Sequence, residues 1–176
     1  MPISIRDCRH LPKDRQWIER TYSEYLDDLS QLNTGIFPVM VEDAPRDDEI
    51  FANWFSNEHS HPLLILKGEE PVGFALVTRP RMGGSTDKAD FLLSEFFIRN
   101  PFRRVGIGRE AATLIFNRFA GEWEIVEYNR NPTAIAFWRG VLSRYTRGKF
   151  RERIRDGEIR QRFTSAASTP ASLRPR

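Results

Sequence analysis

The run Arg103-Arg104-Val105-Gly106-Ile107-Gly108-Arg109 places two glycines and three arginines at the start of an apolar-periodic segment, REAATLIFNRFAG. Glycine has no Cβ, so a ligand can approach its backbone closely. The free N–H groups of a helix start, together with the helix dipole, attract negative charge. Successive N–H groups from Val105 to Arg109 can therefore converge on a pyrophosphate. The competing reading is an ordinary tight loop with a solvated arginine face. Two carboxylates stand in strand-like apolar surroundings: Glu95 interrupts ADFLLSEFFI, the longest apolar run, and Glu127 lies near the end of EWEIVEY. Burial raises a carboxylate pKa into a range useful for acid–base work. An arginine-paired or exposed Glu95 on the far face of its strand fits the alternation equally well. No metal is expected, because Cys8 is the single cysteine and His10, His59 and His61 lack ligand spacing.

The elements that must position these groups can be read in order. ISIRDC is a short alternating strand, and DRQWIERTYSEYLDDL sets Trp17, Thr21, Tyr25, Leu26 and Leu29 at helical spacing. Gly35 and Pro38 end that helix, and an acidic helix from Asp47 to Phe55 follows, with Ile50, Phe51, Trp54 and Phe55 as its apolar stripe. PLLILK and PVGFALVTR are strands joined by Gly68-Glu69-Glu70, and RPRMGGSTDK is a loop with Gly83-Gly84 at its tip. ADFLLSEFFI reads as a central strand. The helix REAATLIFNRFAG is closed by Gly121 as its cap, and EWEIVEY is the next strand. NPTAIAFWRGVLSRY is a helix with Asn131 as N-cap and Pro132 at its first position. KFRERI and EIRQRFT form a hairpin around Asp156-Gly157. The expected fold is α+β: one domain over residues 1–164, a mixed, mostly antiparallel sheet of six to seven strands and about four helices. Residues 165–176 read as a disordered tail.

Composition narrows the class further. The chain has 176 residues, 40% hydrophobic and 29% charged, as expected of one globular domain. No apolar run reaches the ~18 residues of a membrane span, and the polar start MPISIRDCRHL is no signal peptide, so a cytoplasmic location is expected. The net charge of +3 conceals an asymmetry: residues 1–60 carry twelve acidic and six basic side chains, and residues 96–163 carry seven acidic and fifteen basic. Two differently charged surfaces follow, unless much of this charge is simply solvated.

Three phosphate loops compete for the glycine run. A P-loop needs a lysine followed by a hydroxyl residue, which is missing here. Gly106-x-Gly108-x-x-Ala111 fits a dinucleotide fingerprint, with Glu127 about 20 residues on. Yet seven residues, Arg99 to Val105, separate the preceding strand from the first glycine, and too little chain follows for the remaining parallel strands. The third frame is Arg103-x-x-Gly106-x-Gly108, after a strand and short loop and opening a helix. It resembles the Q/R-x-x-G-x-G/A signature of the GNAT superfamily of N-acetyltransferases, with Pro101 one place later than the family's proline. Asn131-x-x-Ala134-x-x-Phe137-Trp138 resembles the family's N-x-x-A-x-x-F/L-Y helix. The two blocks cover residues 90–145, and the element order extends the likeness to about 1–164.

The resemblance implies acetyl-CoA as cosubstrate and transfer of the acetyl group to a primary amine. It assigns the coenzyme to Arg103, Arg104, Val105, Gly106, Ile107, Gly108 and Arg109, with Asn131, Phe137 and Trp138 on the later helix. Backbone groups of Phe96, Phe97 or Ile98 would line the pantetheine, where a bulge or splay opens the ladder between their strand and EWEIVEY. Glu95 is the first choice of base and Glu127 the second. The family's acidic tyrosine is Trp138 here, and an indole N–H is no acid near neutral pH. Either Tyr145 protonates the thiolate, or the thiolate leaves unassisted, its pKa being about 8.5. An alternative from another class is an acyl-CoA-binding sensor with impaired catalysis.

In the family, the first two helices cover the acceptor. That segment carries Asp27, Asp28, Glu42, Asp43, Asp47, Asp48 and Glu49, which would draw a small cationic amine or a lysine-bearing peptide. Trp17, Tyr22, Tyr25 and Trp54 would add apolar contact or sit in the core. The arginine-rich segment 144–162 lacks interleaved aromatics, which argues against nucleic acid. No membrane partner is expected, and a homodimer is allowed.

Overall fold

The computed structural model describes residues 1–31, 47–80 and 89–166. The expected breaks at Gly35 and Pro38, the Gly83-Gly84 tip, the 167–176 tail, Glu42 and Asp43 lie outside these residues, as do the side chains of Asp47 and Asp48. The elements run β1 (Ile3–Asp7), α1 (Pro12–Gln31), α2 (Asp47–Ser56), β2 (Ser60–Lys67), β3 (Glu70–Thr78), β4 (Phe91–Ile98), a 3-10 turn (Asn100–Phe102), α3 (Ile107–Arg118), β5 (Gly121–Tyr128), α4 (Pro132–Tyr145), β6 (Arg151–Arg155) and β7 (Glu158–Ser165). The seven strands form one sheet in the order β1-β2-β3-β4-β5-β7-β6. Neighbours are antiparallel except β4 and β5. This is the α+β, mixed-sheet architecture expected from the sequence.

Each face has its own helices. Ile18 and Tyr22 of α1 and Phe51 and Trp54 of α2 pack on Leu64, Leu66, Phe74, Leu76 and Phe97, which defines a front face over β2–β4. Ala112, Ile115 and Phe116 of α3 and Trp138, Val141 and Leu142 of α4 pack on Ala75, Val77, Phe91, Leu93, Trp123, Ile125 and Phe163 behind the sheet. From Phe74 to Val77 the alternation of β3 sends even residues forward and odd residues back, and both faces are buried under helices. The front of β5-β7-β6 is not covered by α1 or α2.

Two irregularities in β4 matter for function. Leu76 pairs with Glu95 but Val77 pairs with Leu93, so Ser94 is an extra residue, a β-bulge. The bulge reverses the alternation: Phe91 and Leu93 point back, and after it Phe96 packs back on Phe137 and Trp138 while Phe97 points forward. The second irregularity is that β4 and β5 pair only over Phe91–Leu93 and Trp123–Ile125. Beyond that they splay apart.

Local signals set most boundaries. The Asn131 side chain accepts from Ala134 N at 3.0 Å and Pro132 occupies the first turn of α4. Asp156 and Gly157 take φ of 52° and 81°, the left-handed pair of a two-residue hairpin turn. Gly121 is a departure. Helix α3 ends at Arg118 with Phe119 extended, and Gly121 at φ 150° opens β5 instead of capping the helix. A Cβ there would meet the Asp90 carboxylate at 2.6 Å, and Asp90 accepts from Glu122 N at 2.8 Å, so close approach explains this glycine.

Candidate active site

The glycine loop sits where β4 ends. After the 3-10 turn, Arg103 folds back: its Nε donates to Ile98 O at 2.6 Å, its guanidinium lies 5.3 Å from the Phe97 ring centre, and it pairs with Asp28 of α1. Arg104 takes φ 63° and Gly106 φ 90°. Gly106 is the N-cap of α3, with no side chain capping the helix, and the first intrahelical bond is Glu110 N to Gly106 O at 3.1 Å. The N–H groups of Ile107, Gly108 and Arg109 therefore have no acceptor within the helix. Val105, 70% exposed, flanks them, and Arg104 and Arg109 are exposed without an ion-pair partner among the described residues. Bare donors, a positive dipole end and two free guanidinium groups make a site for a multiply charged anion.

Behind the loop, Gly108 lies against Phe137, whose Cζ would be 3.2 Å from an added Cβ. Phe137 stacks on Phe96 at 5.9 Å, and buried Trp138 meets Phe96 edge-on at 5.1 Å. These rings lock α4 to the open part of β4, and Asn131 serves as the cap that starts α4.

The cleft opens between residues 94–98 and 126–128. Arg99 N donates to Val72 O at 2.9 Å, so the alternation turns the backbone of Phe97 toward β3 and that of Phe96 and Ile98 toward the gap. Ile98 O is taken by Arg103. On the front face of the cleft, the half-buried Glu95 accepts a hydrogen bond from Tyr25 Oη of α1. Burial pushes the Glu95 carboxyl above its ordinary value, and the Tyr25 bond opposes that rise. Tyr25 is itself raised, by burial first and then by the neighbouring Glu95 charge, so it stays a donor. Glu95 thus stands on the cleft side as a carboxyl held by one hydrogen bond.

Glu127 lies beyond the splay on β5, on the α4 side. It is 5% exposed, and neither carboxyl oxygen has a hydrogen-bond partner among the described residues. Burial and then the Glu152 charge raise it to about 8, against the pull of Arg139. Such a carboxyl is protonated at neutral pH. Tyr145 is elsewhere: its Oη donates to Asn117 at 2.9 Å and its ring packs on Phe163, at the end of the sheet where Gly121 pairs with Ser165. Phe163 pairs with Trp123, so the paired part of β5, Trp123 to Ile125, lies between Tyr145 and the cleft.

Residues 26–141 match the model of the acetyltransferase (GNAT) family. The chain belongs to that family. Among solved structures it is similar to an acetyltransferase from Thermus thermophilus, at 20% identity and a TM-score of 0.61 over 93% of this chain and 97% of that one. It is also similar to the PaiA N-acetyltransferase from Thermoplasma acidophilum solved with coenzyme A, at 13% identity and TM-score 0.59 over 93% and 99% of the two chains. The ribosomal-protein-S18-alanine N-acetyltransferase from Escherichia coli matches at 13% and 0.53 over 98% and 99%. These likenesses concern the fold. No curated protein matches the sequence.

GNAT enzymes use acetyl-CoA, and the residues present fit it: an uncapped α3 N-terminus with free arginines beside it, leading to a splayed strand pair. No group of ligating side chains for a metal occurs among the described residues, and no helix there is long and apolar enough to cross a membrane. Three residues of this candidate site have contacts that the sequence reading did not give them. Tyr25 at helical spacing looks like core; Ser94 is one polar residue in an apolar strand; Asp28 shows only as part of an acidic run. The serine was the usable signal, since a small polar residue inside a central strand favours a bulge.

Proposed function

We propose that the protein transfers an acetyl group from acetyl-CoA to an amine, with Glu95 as the base. One observation carries this reading: the Ser94 bulge turns Glu95 out of the core and into the cleft that begins at the anion-binding end of α3. Ile107, Gly108 and Arg109 would hold the pyrophosphate through their N–H groups, with Arg104 and Arg109 meeting further phosphate charge. Acetyl-CoA supplies a thioester carbonyl activated toward amines. Glu95 takes the proton from the attacking nitrogen as the C–N bond forms. Phe96 and Ile98 offer N–H groups on the cleft side to the developing oxyanion. When the C–S bond breaks, the thiolate, with a pKa of about 8.5, needs a proton that Tyr145 is too far away to give. Glu127, holding a proton at neutral pH on the strand that borders the cleft, is the group we assign to that step.

The acceptor amine stays a class. Of the acidic residues expected to draw a cation, Asp28 is taken up by Arg103; Glu24, one turn earlier and outside that set, is taken up by Arg99 at 2.9 Å. The test is incubation with acetyl-CoA and a panel of small and peptide amines, reading free thiol and the mass of the product. Thiol release with a 42-Da gain on the amine is the expected result. Coenzyme binding with no turnover across the panel would favour the sensor reading, for which buried Trp138 in the tyrosine position is the supporting observation.

A further inference from the structure

The half of the front face that α1 and α2 leave bare carries Arg151, Arg153 and Arg155 on β6 and Arg160 and Arg162 on β7, lining an open trough of about 340 Å³. The register sets Arg151 opposite Arg162 and Arg153 opposite Arg160. Like charges directly opposed across strands destabilise a sheet, so this pattern opposes folding unless anions relieve it. The chain's own acids relieve part of it. Glu124 receives Arg162 at 2.8 Å and Arg160 at 3.3 Å, Glu158 receives Arg160 at 2.7 Å, and Asp156 receives Arg155 at 3.1 Å. Arg151 and Arg153 are exposed and have no acidic partner among the described residues.

The trough and the cleft lie on the same face of the sheet. Glu124, Val126 and Tyr128 share the front face of β5, and they pair with Arg162, Arg160 and Glu158. Tyr128, 39% exposed, is close enough to Tyr25 to act on its ionisation, so it stands on the border between the Glu95–Tyr25 pair and the arginines. Glu95 on β4 and Arg153 on β6 are three strand spacings apart, about 14 Å before the splay of β4 from β5 adds to it. That is the reach of about four to five extended residues.

We infer that the acceptor is an amine carrying carboxylates about 14 Å away, best matched by a peptide whose amine is followed within about five residues by Asp or Glu. The inference rests on the acetyl-transfer reading. An ammonium would give up its proton at Glu95 while its acidic body lies over Arg153 and Arg151, which are free to pair. The distance argues for a peptide over a compact amino acid, because a carboxylate two bonds from the amine cannot span it.

The test compares four acceptors: peptides Ala-Asp-Glu-Asp, Ala-Gln-Gln-Gln and Ala-Lys-Lys-Lys, each C-terminally amidated, and free aspartate. The acidic peptide should show a kcat/KM about tenfold above the neutral one and further above the basic one, with free aspartate no better than neutral. Salt near 0.5 M should shrink the preference, because screening weakens exposed pairs. Arg151→Gln/Arg153→Gln should collapse the acidic-to-neutral ratio several-fold, and Arg153→Glu should tilt it toward lysine, each with thermal unfolding confirming a folded chain. Equal or better use of the neutral or basic peptide, with ratios insensitive to these substitutions, would overturn the inference and leave acetyl transfer standing. Binding of the N-acetylated acidic and neutral peptides, measured with coenzyme A present, covers the case of no turnover. Arginine-dependent acidic binding without turnover would keep the trough as an acidic-peptide site while overturning its role as acceptor site, and its absence would remove both. A single-stranded oligonucleotide that binds the trough and is not displaced by the acidic peptide would also overturn the peptide assignment.

Discussion

Glu95 and Glu127 are two carboxylates that the fold treats in opposite ways. Glu95 is partly open, holds one hydrogen bond from Tyr25 and is raised by burial; Glu127 is enclosed, unpaired and raised to about 8. A base works ionised, so activity is lost as pH falls through the Glu95 pKa. Tyr25→Phe removes the bond that holds this pKa down but keeps the ring packed between Tyr22 and Phe74. The acid limb of kcat/KM against pH should move to higher pH in the variant, and an unmoved limb would detach Tyr25 from Glu95. Glu127 is a matter of stability. Its folded value lies above the unfolded carboxylate value, so its neutral burial costs nothing below about pH 4.5 and weakens the fold progressively as pH rises toward about 8. Glu127→Gln should leave the urea midpoint unchanged near pH 4. It should raise stability by on the order of 3 kcal/mol at pH 8, and it should slow thiol release, the step assigned to its proton.

At the scale of elements, the proposed reading makes the start of α3 the determinant of coenzyme affinity. Gly106 has room around it, with only Arg109 Nη2 3.6 Å from an added Cβ, but its φ of 90° is disfavoured for any side chain and worst for a branched one. Gly106→Val should therefore tilt the first turn and misdirect its N–H donors. Charge-assisted bonds are worth about 1.5–3 kcal/mol each, so losing two should weaken coenzyme A binding by more than about a hundredfold. Gly108→Ala only nudges the half-buried Phe137 ring and should cost less than about tenfold. Arg103→Ala should fall between them: it frees the loop from Ile98 O and Asp28, an exchange of about 1 kcal/mol for a half-exposed pair. Calorimetric titration of folded variants with coenzyme A reads all three, and Gly106→Val binding as wild type would remove the loop as the phosphate site.

For the whole molecule, β1–β4 with α1 and α2 meet β5–β7 at the sheet through only three β4–β5 pairs, with α3 and α4 laid across the back. A ligand wedged in the splay should tie these parts together. Coenzyme A at 100 times its Kd should add about 2.7 kcal/mol, seen as a raised Tm and slowed exchange of the amides at 94–98 and 126–128. No shift in either would place the ligand elsewhere. The element order was readable because its punctuation is local: Asn131-Pro132, Asp156-Gly157 and the alternation of β6 and β7. The bulge was not. Periodicity alone assigns Glu95 to the face of Phe91 and Leu93, in the core, and only the pairing with β3 shows Ser94 slipping the register and turning Glu95 forward. Gly121 misled because a glycine after a helix looks the same whether it caps the helix or makes room for Asp90. The Arg103–Asp28 and Tyr25–Glu95 pairs join residues 75 and 70 positions apart, which no local pattern encodes.

The central claim is that Glu95, turned into the cleft by the bulge, removes the proton during acetyl transfer. Thiol release by wild type and Glu95→Gln at saturating acetyl-CoA, on the best acceptor of the panel, tests it most directly. The account predicts a kcat lower by about 10²–10⁴, with loss of the acid limb and coenzyme A affinity unchanged by calorimetry. A Glu95→Gln enzyme turning over within twofold of wild type, with its pH profile intact, would contradict it.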